Sequence, residues 1–139
     1  MNFIFQLKQL LPLLYPKFYV VTDADGNELI LLETGGEHLS SGRNIEDKTF
    51  CEAFHNHVHF FDAVKKNERE TAVGIGSEIA KHLLEALSAA FPDKSFHVFL
   101  QITYNDSSTI RFHQSWQNEA DYYEESVSED EIVMKFSNR

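Results

Sequence analysis

The sequence predicts an α+β fold, an antiparallel sheet of hairpins packed against helices on one side, in a single domain spanning residues 1–139. Three observations carry that prediction. Segments 18–33 and 95–116 read as strand–turn–strand units. Segments 2–11 and 77–91 carry apolar residues at helical spacing, and a last alternation, Ile132, Met134 and Phe136, reads as a closing strand. With 139 residues, 42% hydrophobic and including twelve Phe, the chain can bury one core without metals or disulfides.

Phe3, Leu7, Leu10, Leu11 and Leu14 share a helical face, and the helix is expected to run from residue 2 to residue 11 and stop near Pro12. The arms FYVVTD and ELILLE flank Asp25-Gly26, whose positive φ angles suit a tight turn; both arms are apolar on both faces, as central or helix-covered strands are. TGGEHLSSGRN lacks periodicity and reads as a loop. Between Ile45 and Lys66 two readings compete. Phe50, Phe54, Val58 and Phe61 fall within about 80° of one another at helical pitch. A strand instead places His55, His57 and His59 on one face. The length of the pattern favours the helix. A further helix is expected from a Ser77 cap to Pro92, with Ile79, Leu83, Leu87, Ala90 and Phe91 inward and Gly74-Ile75-Gly76 as a flexible lead-in.

The clearest tertiary signal is SFHVFLQITY-NDSS-TIRFHQSW. Phe96, Val98, Leu100, Ile102 and Tyr104 share one face, and Ile110, Phe112 and Trp116 share one face of the partner strand. Directly opposed residues lie on the same side, so matching these faces requires pairs whose numbers have an even sum. The register expected is Tyr104 opposite Ile110 and Leu100 opposite Gln114, about a three- or five-residue turn. His97, Gln101, Arg111 and His113 then share the other face, where Arg111 would need a carboxylate if buried. Glu119 and Asp121 are the nearest in sequence.

Charge is concentrated. Of 22 acidic side chains, seven fall between Gln117 and Glu131: Glu119, Asp121, Glu124, Glu125, Glu129, Asp130 and Glu131. The same stretch has no Lys or Arg and contains Tyr122 and Tyr123. A focal negative field with aromatic contact surface suits docking on a basic protein, with Glu119, Asp121, Tyr122, Tyr123, Glu124, Glu125, Glu129 and Asp130 as the partner-binding residues. Acidic runs also occur as solvated faces or tails. The tyrosines and the apolar alternation after Glu131 favour an ordered loop.

A net charge of −10 speaks against direct nucleic-acid binding, which draws on Lys and Arg. No run reaches the length of a membrane span, and the apolar N-terminus lacks a basic region and a cleavage site. With the single Cys51, these features predict a cytoplasmic protein. No cofactor or metal is expected. On a helix His55, His59 and Asp62 would share a face, yet without a third clear ligand or an intervening base they read as surface residues. An alternative reading is a small hydrolase or ribonuclease using His97, Arg111 and His113 as acid, base and electrophile. Cys51 beside Phe50 reads as a small hydrophobe.

The segment FHVFLQITYNDSSTIRFHQSWQNEADYY, with the helix leading into it, resembles the small acidic immunity proteins of bacterial contact-dependent growth inhibition systems. The resemblance covers residues 83 to 123. It implies a non-enzymatic α+β protein that binds the toxic C-terminal domain of a large secreted adhesin, often a nuclease, in the producing cell's cytoplasm. That family's interface residues do not transfer position by position.

Overall fold

The computed structural model describes residues 3–139, with side chains from Lys8 onward. The elements in chain order are α1 (Phe3–Leu14), β1 (Phe18–Thr22), β2 (Glu28–Leu32), α2 (Lys48–His55), β3 (His57–Phe61), a 3-10 turn (Lys66–Glu68), α3 (Arg69–Ala90), β4 (Phe96–Thr103), β5 (Ser108–Gln114), β6 (Ser126–Val127) and β7 (Glu131–Ser137). β1 and β2 form an antiparallel hairpin, and the other strands form an antiparallel sheet in the order β3-β5-β4-β7-β6. This is the α+β architecture the sequence predicts.

One face of the sheet carries Val58, Ile110, Phe112, Phe96, Val98, Leu100 and Ile102, which join Leu13 of α1 and Ile79, Ala80, Leu83 and Leu87 of α3 in the main core. α3 approaches β4 closely. A Cβ on Gly76 would lie 2.8 Å from Leu100 Cδ1, so glycine is what the contact admits. Gly74 and Gly76 are therefore inside α3, not a lead-in, and the helix begins at Arg69, eight residues before the expected Ser77 cap. α1 likewise runs on through Pro12 to Leu14. Proline in a last turn forfeits one backbone hydrogen bond without ending the helix. The expected start at residue 2 lies outside the described residues.

The 45–66 segment resolves into both readings. A helix runs to His55, Asn56 has non-helical φ/ψ, and a strand follows with Val58 and Phe60 buried and His59 exposed. Phe50 and Phe54 do not face the core: they are 51% and 53% exposed. The buried face of α2 is Thr49, Glu52 and Ala53.

The β4–β5 pairing has the expected even parity but is shifted by four residues. Phe96 opposes Gln114 and Leu100 opposes Ile110, because the turn closes on Tyr104, Asn105 and Asp106 with Asn105 at φ 61° and the Asp106 N–H on Thr103 O. His97 therefore opposes His113, and Arg111 opposes Phe99. Trp116 leaves the helix side altogether. It packs on the second cluster, Val21, Leu29 and Leu31 of the β1–β2 hairpin, with Cys51 half-buried beside it.

Candidate functional site

The second face of the sheet is open at β3, where His59 is exposed, and covered over β4 and β5. Phe99 and His113 are almost fully buried there, beneath residues 119–123, which cross β5 and β4 as a strap. α2 lies beside the strap over the end of β5. Together they gather Phe50, Phe54, Tyr122 and Tyr123 with Arg111, Glu119 and Asp121, and all eight sequence-predicted docking residues belong to this region or follow it.

α2 is anchored through its polar side. Glu52 accepts from the N–H groups of Ile30 (2.8 Å) and Gln114 (2.9 Å), from Gln114 Nε2 (2.8 Å) and from Trp116 Nε1 (2.6 Å). Asn56 accepts from Leu32 N–H and donates to Ile30 O, both at 2.8 Å. The two side chains thus occupy the free edge of β2 as a neighbouring strand would, satisfying donors that burial would otherwise strand. Burial pushes the Glu52 carboxyl up to about 6 against those four hydrogen bonds.

Both ends of α2 are clamped by distant residues. At the N-terminus the Asp47 side chain accepts from Phe50 N–H, and Glu119 Oε1 accepts from Thr49 N–H (2.7 Å) while its Oε2 pairs with Lys48 Nζ (3.1 Å). At the C-terminus Arg111 donates to Ala53 O, and His57 Nδ1 lies 2.7 Å from Phe54 O. Anionic groups at the start and a cation at the end match the helix macrodipole.

The expected ion pair from Arg111 to Glu119 or Asp121 does not form. The guanidinium meets a helix-terminal carbonyl and the faces of Tyr122 and Tyr123, 4.8 and 5.6 Å from the ring centres. Orphan carbonyls and aromatic quadrupoles stabilise a cation without a carboxylate. The carboxylates serve other lysines. Asp121 pairs with Lys135 (3.1 Å) and lies 3.4 Å from His97 Nε2. Partial burial pushes both Glu119 and Asp121 up, but hydrogen bonds from the Thr49 N–H and Lys48 in one case, and Lys135 with the nearby His97 in the other, hold both below the ordinary range.

His97, Arg111 and His113 do share this face, but each is engaged. His113 Nδ1 lies 2.7 Å from Gln114 O, so it carries the proton, and Nε2 accepts from Tyr122 N–H at 3.1 Å. His97 Nδ1 is 2.6 Å from Ser137 Oγ. Burial holds both imidazoles below their usual pKa, that of His97 against the pull of Asp121. His55 and His59 fall on different elements, so the shared helical face with Asp62 does not exist. Among the described residues no three His, Cys, Asp or Glu side chains gather as a metal site.

Of the eight docking residues, Glu119, Asp121, Tyr122 and Tyr123 are partly buried in the strap, where Tyr123 Oη donates to Gln101 Oε1 (3.0 Å) and its ring packs edge-on to Phe99. Glu124, Glu125, Glu129 and Asp130 are exposed. Sequence reasoning missed Phe50 and Phe54. Their rings stack 5.9 Å apart, and Phe50 lies 6.1 Å from Tyr122. The available signal was the polar stripe Thr49, Glu52 and Asn56 opposite them, which admits an inverted helix.

Fold and site define a small α+β protein in which a buried polar network and an acidic strap hold a short helix with its aromatic side outward. The chain belongs to the Uncharacterized protein PM0498 family, whose model matches residues 28–136. No curated protein and no solved structure matches it. Among the described residues no helix is long and apolar enough to cross a membrane.

Proposed function

We propose that the protein is a cytoplasmic immunity protein that binds and neutralises the toxic C-terminal domain, a basic nuclease, of a contact-dependent growth inhibition system. The observation that carries this reading is the surface of the strap side. Glu124, Glu125, Glu129 and Asp130 stand exposed, next to half-buried Tyr122 and Tyr123, which the fold already holds in place. Pre-ordered aromatic groups lose little entropy on binding, and unpaired carboxylates steer a cationic partner. The likeness of residues 83–123 to immunity proteins points the same way.

The hydrolase reading draws less support from the geometry. Both ring nitrogens of His113 are occupied and Arg111 caps α2, so acid, base and electrophile are committed to the fold. The test is co-expression with the C-terminal domain encoded directly upstream. Cells should survive the toxin only when this protein is present. Substituting Ser at Glu124, Glu125, Glu129 and Asp130 should slow association about tenfold at low salt, with a smaller effect at high salt. Absence of both protection and a complex would refute the reading.

A further inference from the structure

Two large aromatic side chains on one short helix are left half in water, and nothing in the packing of α2 allows them to turn inward. Glu52 and Asn56 fix its rotation from within, and Glu119 and Arg111 fix it from its ends. A patch of this kind on a rigid scaffold marks an interaction site. Tyr122 extends it, and His57 borders it 6.4 Å from the Phe54 ring.

We infer that the outward face of α2, centred on Phe50 and Phe54, is the apolar core of the interface with the basic toxin domain. The inference rests on the immunity reading and specifies its surface. Charge complementarity selects the occupant. A cleft of about 510 Å³ opens beside Phe50 and Tyr122, and Glu46, Asp47, Glu119 and Asp121 are among its lining residues. Lys48 and Lys135 answer Glu119 and Asp121, while Glu46 and Asp47 add negative charge at the N-terminal end of the helix. A partner that lays apolar groups on the two phenylalanines can therefore place an Arg or Lys side chain in the cleft, where an aromatic wall and carboxylates both favour a cation. Aromatic anchors surrounded by a polar rim are the usual distribution of binding energy in such interfaces.

The experiment measures binding of the catalytically inactivated upstream-encoded C-terminal domain to three forms: the natural chain, the double variant Phe50→Ser with Phe54→Ser, and Glu46→Lys. The double variant should bind about 100-fold more weakly, chiefly through faster dissociation. Glu46→Lys should slow association severalfold with little effect on dissociation. If the natural chain binds and the double variant binds within about threefold of it, the α2 surface is wrong and the immunity reading stands. If the natural chain itself forms no complex, the immunity reading falls and this inference with it.

Discussion

α2 and α3 have opposite logic. α3 buries Ile79, Leu83 and Leu87 and sends Glu78, Lys81 and Glu85 to solvent. α2 buries Thr49, Glu52 and Ala53 and sends Phe50 and Phe54 to solvent. Both sequences show a helical apolar stripe, so periodicity locates the stripe and leaves its direction open. Direction is decided by what the rest of the chain offers. Above β4 there is apolar surface for α3, whereas beside β2 there is a row of unpaired N–H and C=O groups. A polar helix face satisfies that edge and an apolar one would not.

The largest expected effect breaks α2's inverted packing at Glu52. Glu52→Gln keeps the shape but turns an acceptor into a group with an NH₂ amid four donors, and should cost about 3–5 kcal/mol in a urea titration. The cost should depend on pH. With its pKa raised to about 6, folded Glu52 takes up a proton before the unfolded chain does, so wild-type stability gains from Glu52 as pH falls from about 6 toward the ordinary glutamate value. Glutamine cannot titrate, so the penalty should widen by about 2 kcal/mol between pH 7 and 4.5. His57, His97 and His113, held low chiefly by burial, push the opposite way in both proteins and cancel in the difference. A penalty independent of pH would show that Glu52 is not the group taking up the proton.

The same contrast explains what was legible in the sequence. The β1–β2 hairpin, the parity of β4 with β5, the inward face of β4 and the inward Ile79, Leu83 and Leu87 of α3 follow from local alternation and stand in the structure. The tight turn at Asp25-Gly26 does not, since the loop runs from residue 23 to 27 with only Gly26 of that pair at positive φ, and Ala90 faces solvent. Nor was the four-residue shift in register legible, because parity fixes a face and leaves the length of the turn to Asn105. Phe99 carried an unused warning. An aromatic side chain on the polar face of β4 implies a cover over that face, and the strap is that cover. The role of Glu119 was beyond sequence reasoning, since its partner Lys48 is 71 residues away along the chain and neither residue has a local signature for the contact.

α3 offers the converse test of close packing. Gly→Ala within a helix ordinarily stabilises, by about 1 kcal/mol in propensity. At Gly76 the new Cβ would meet Leu100 at 2.8–2.9 Å, so Gly76→Ala should instead destabilise by about 1–2 kcal/mol. At Gly74, where nothing lies within 4 Å, the same change should stabilise. Equal thermal shifts at the two positions would contradict the α3–β4 contact.

Removing a clamp from α2 should do less. Glu119→Gln keeps an acceptor for the Thr49 N–H but loses the charge facing the helix N-terminus and Lys48, a loss of about 1 kcal/mol. Glu119 sits below its ordinary pKa, so its contribution is fully present above the ordinary value and is lost as pH falls from there through the lowered value of the folded state. Chemical denaturation over a series of pH values should therefore show the gap constant near neutrality and shrinking steadily once pH falls below the ordinary glutamate range.

Relative to side-chain size, the smallest expected effect on stability is at the largest side chains of α2. Phe50 and Phe54 contact mainly each other, Tyr122 and the histidines at the helix end, and half their surface is already in water. Replacing both with Ser gives up the buried half of each ring and lowers the apolar surface exposed by the folded state. Unfolding free energy should fall by no more than about 1 kcal/mol per ring, the worth of burying half a phenylalanine. Truncating a core phenylalanine such as Phe112 should instead cost about 3–5 kcal/mol. A loss well beyond that at Phe50 and Phe54 would mean that these rings hold α2 in place, and any loss of binding to the proposed partner in that variant would then report misfolding. A loss within that bound together with weakened binding would place the cost in the interface, because serine leaves the Glu52–Asn56 network and both helix clamps intact.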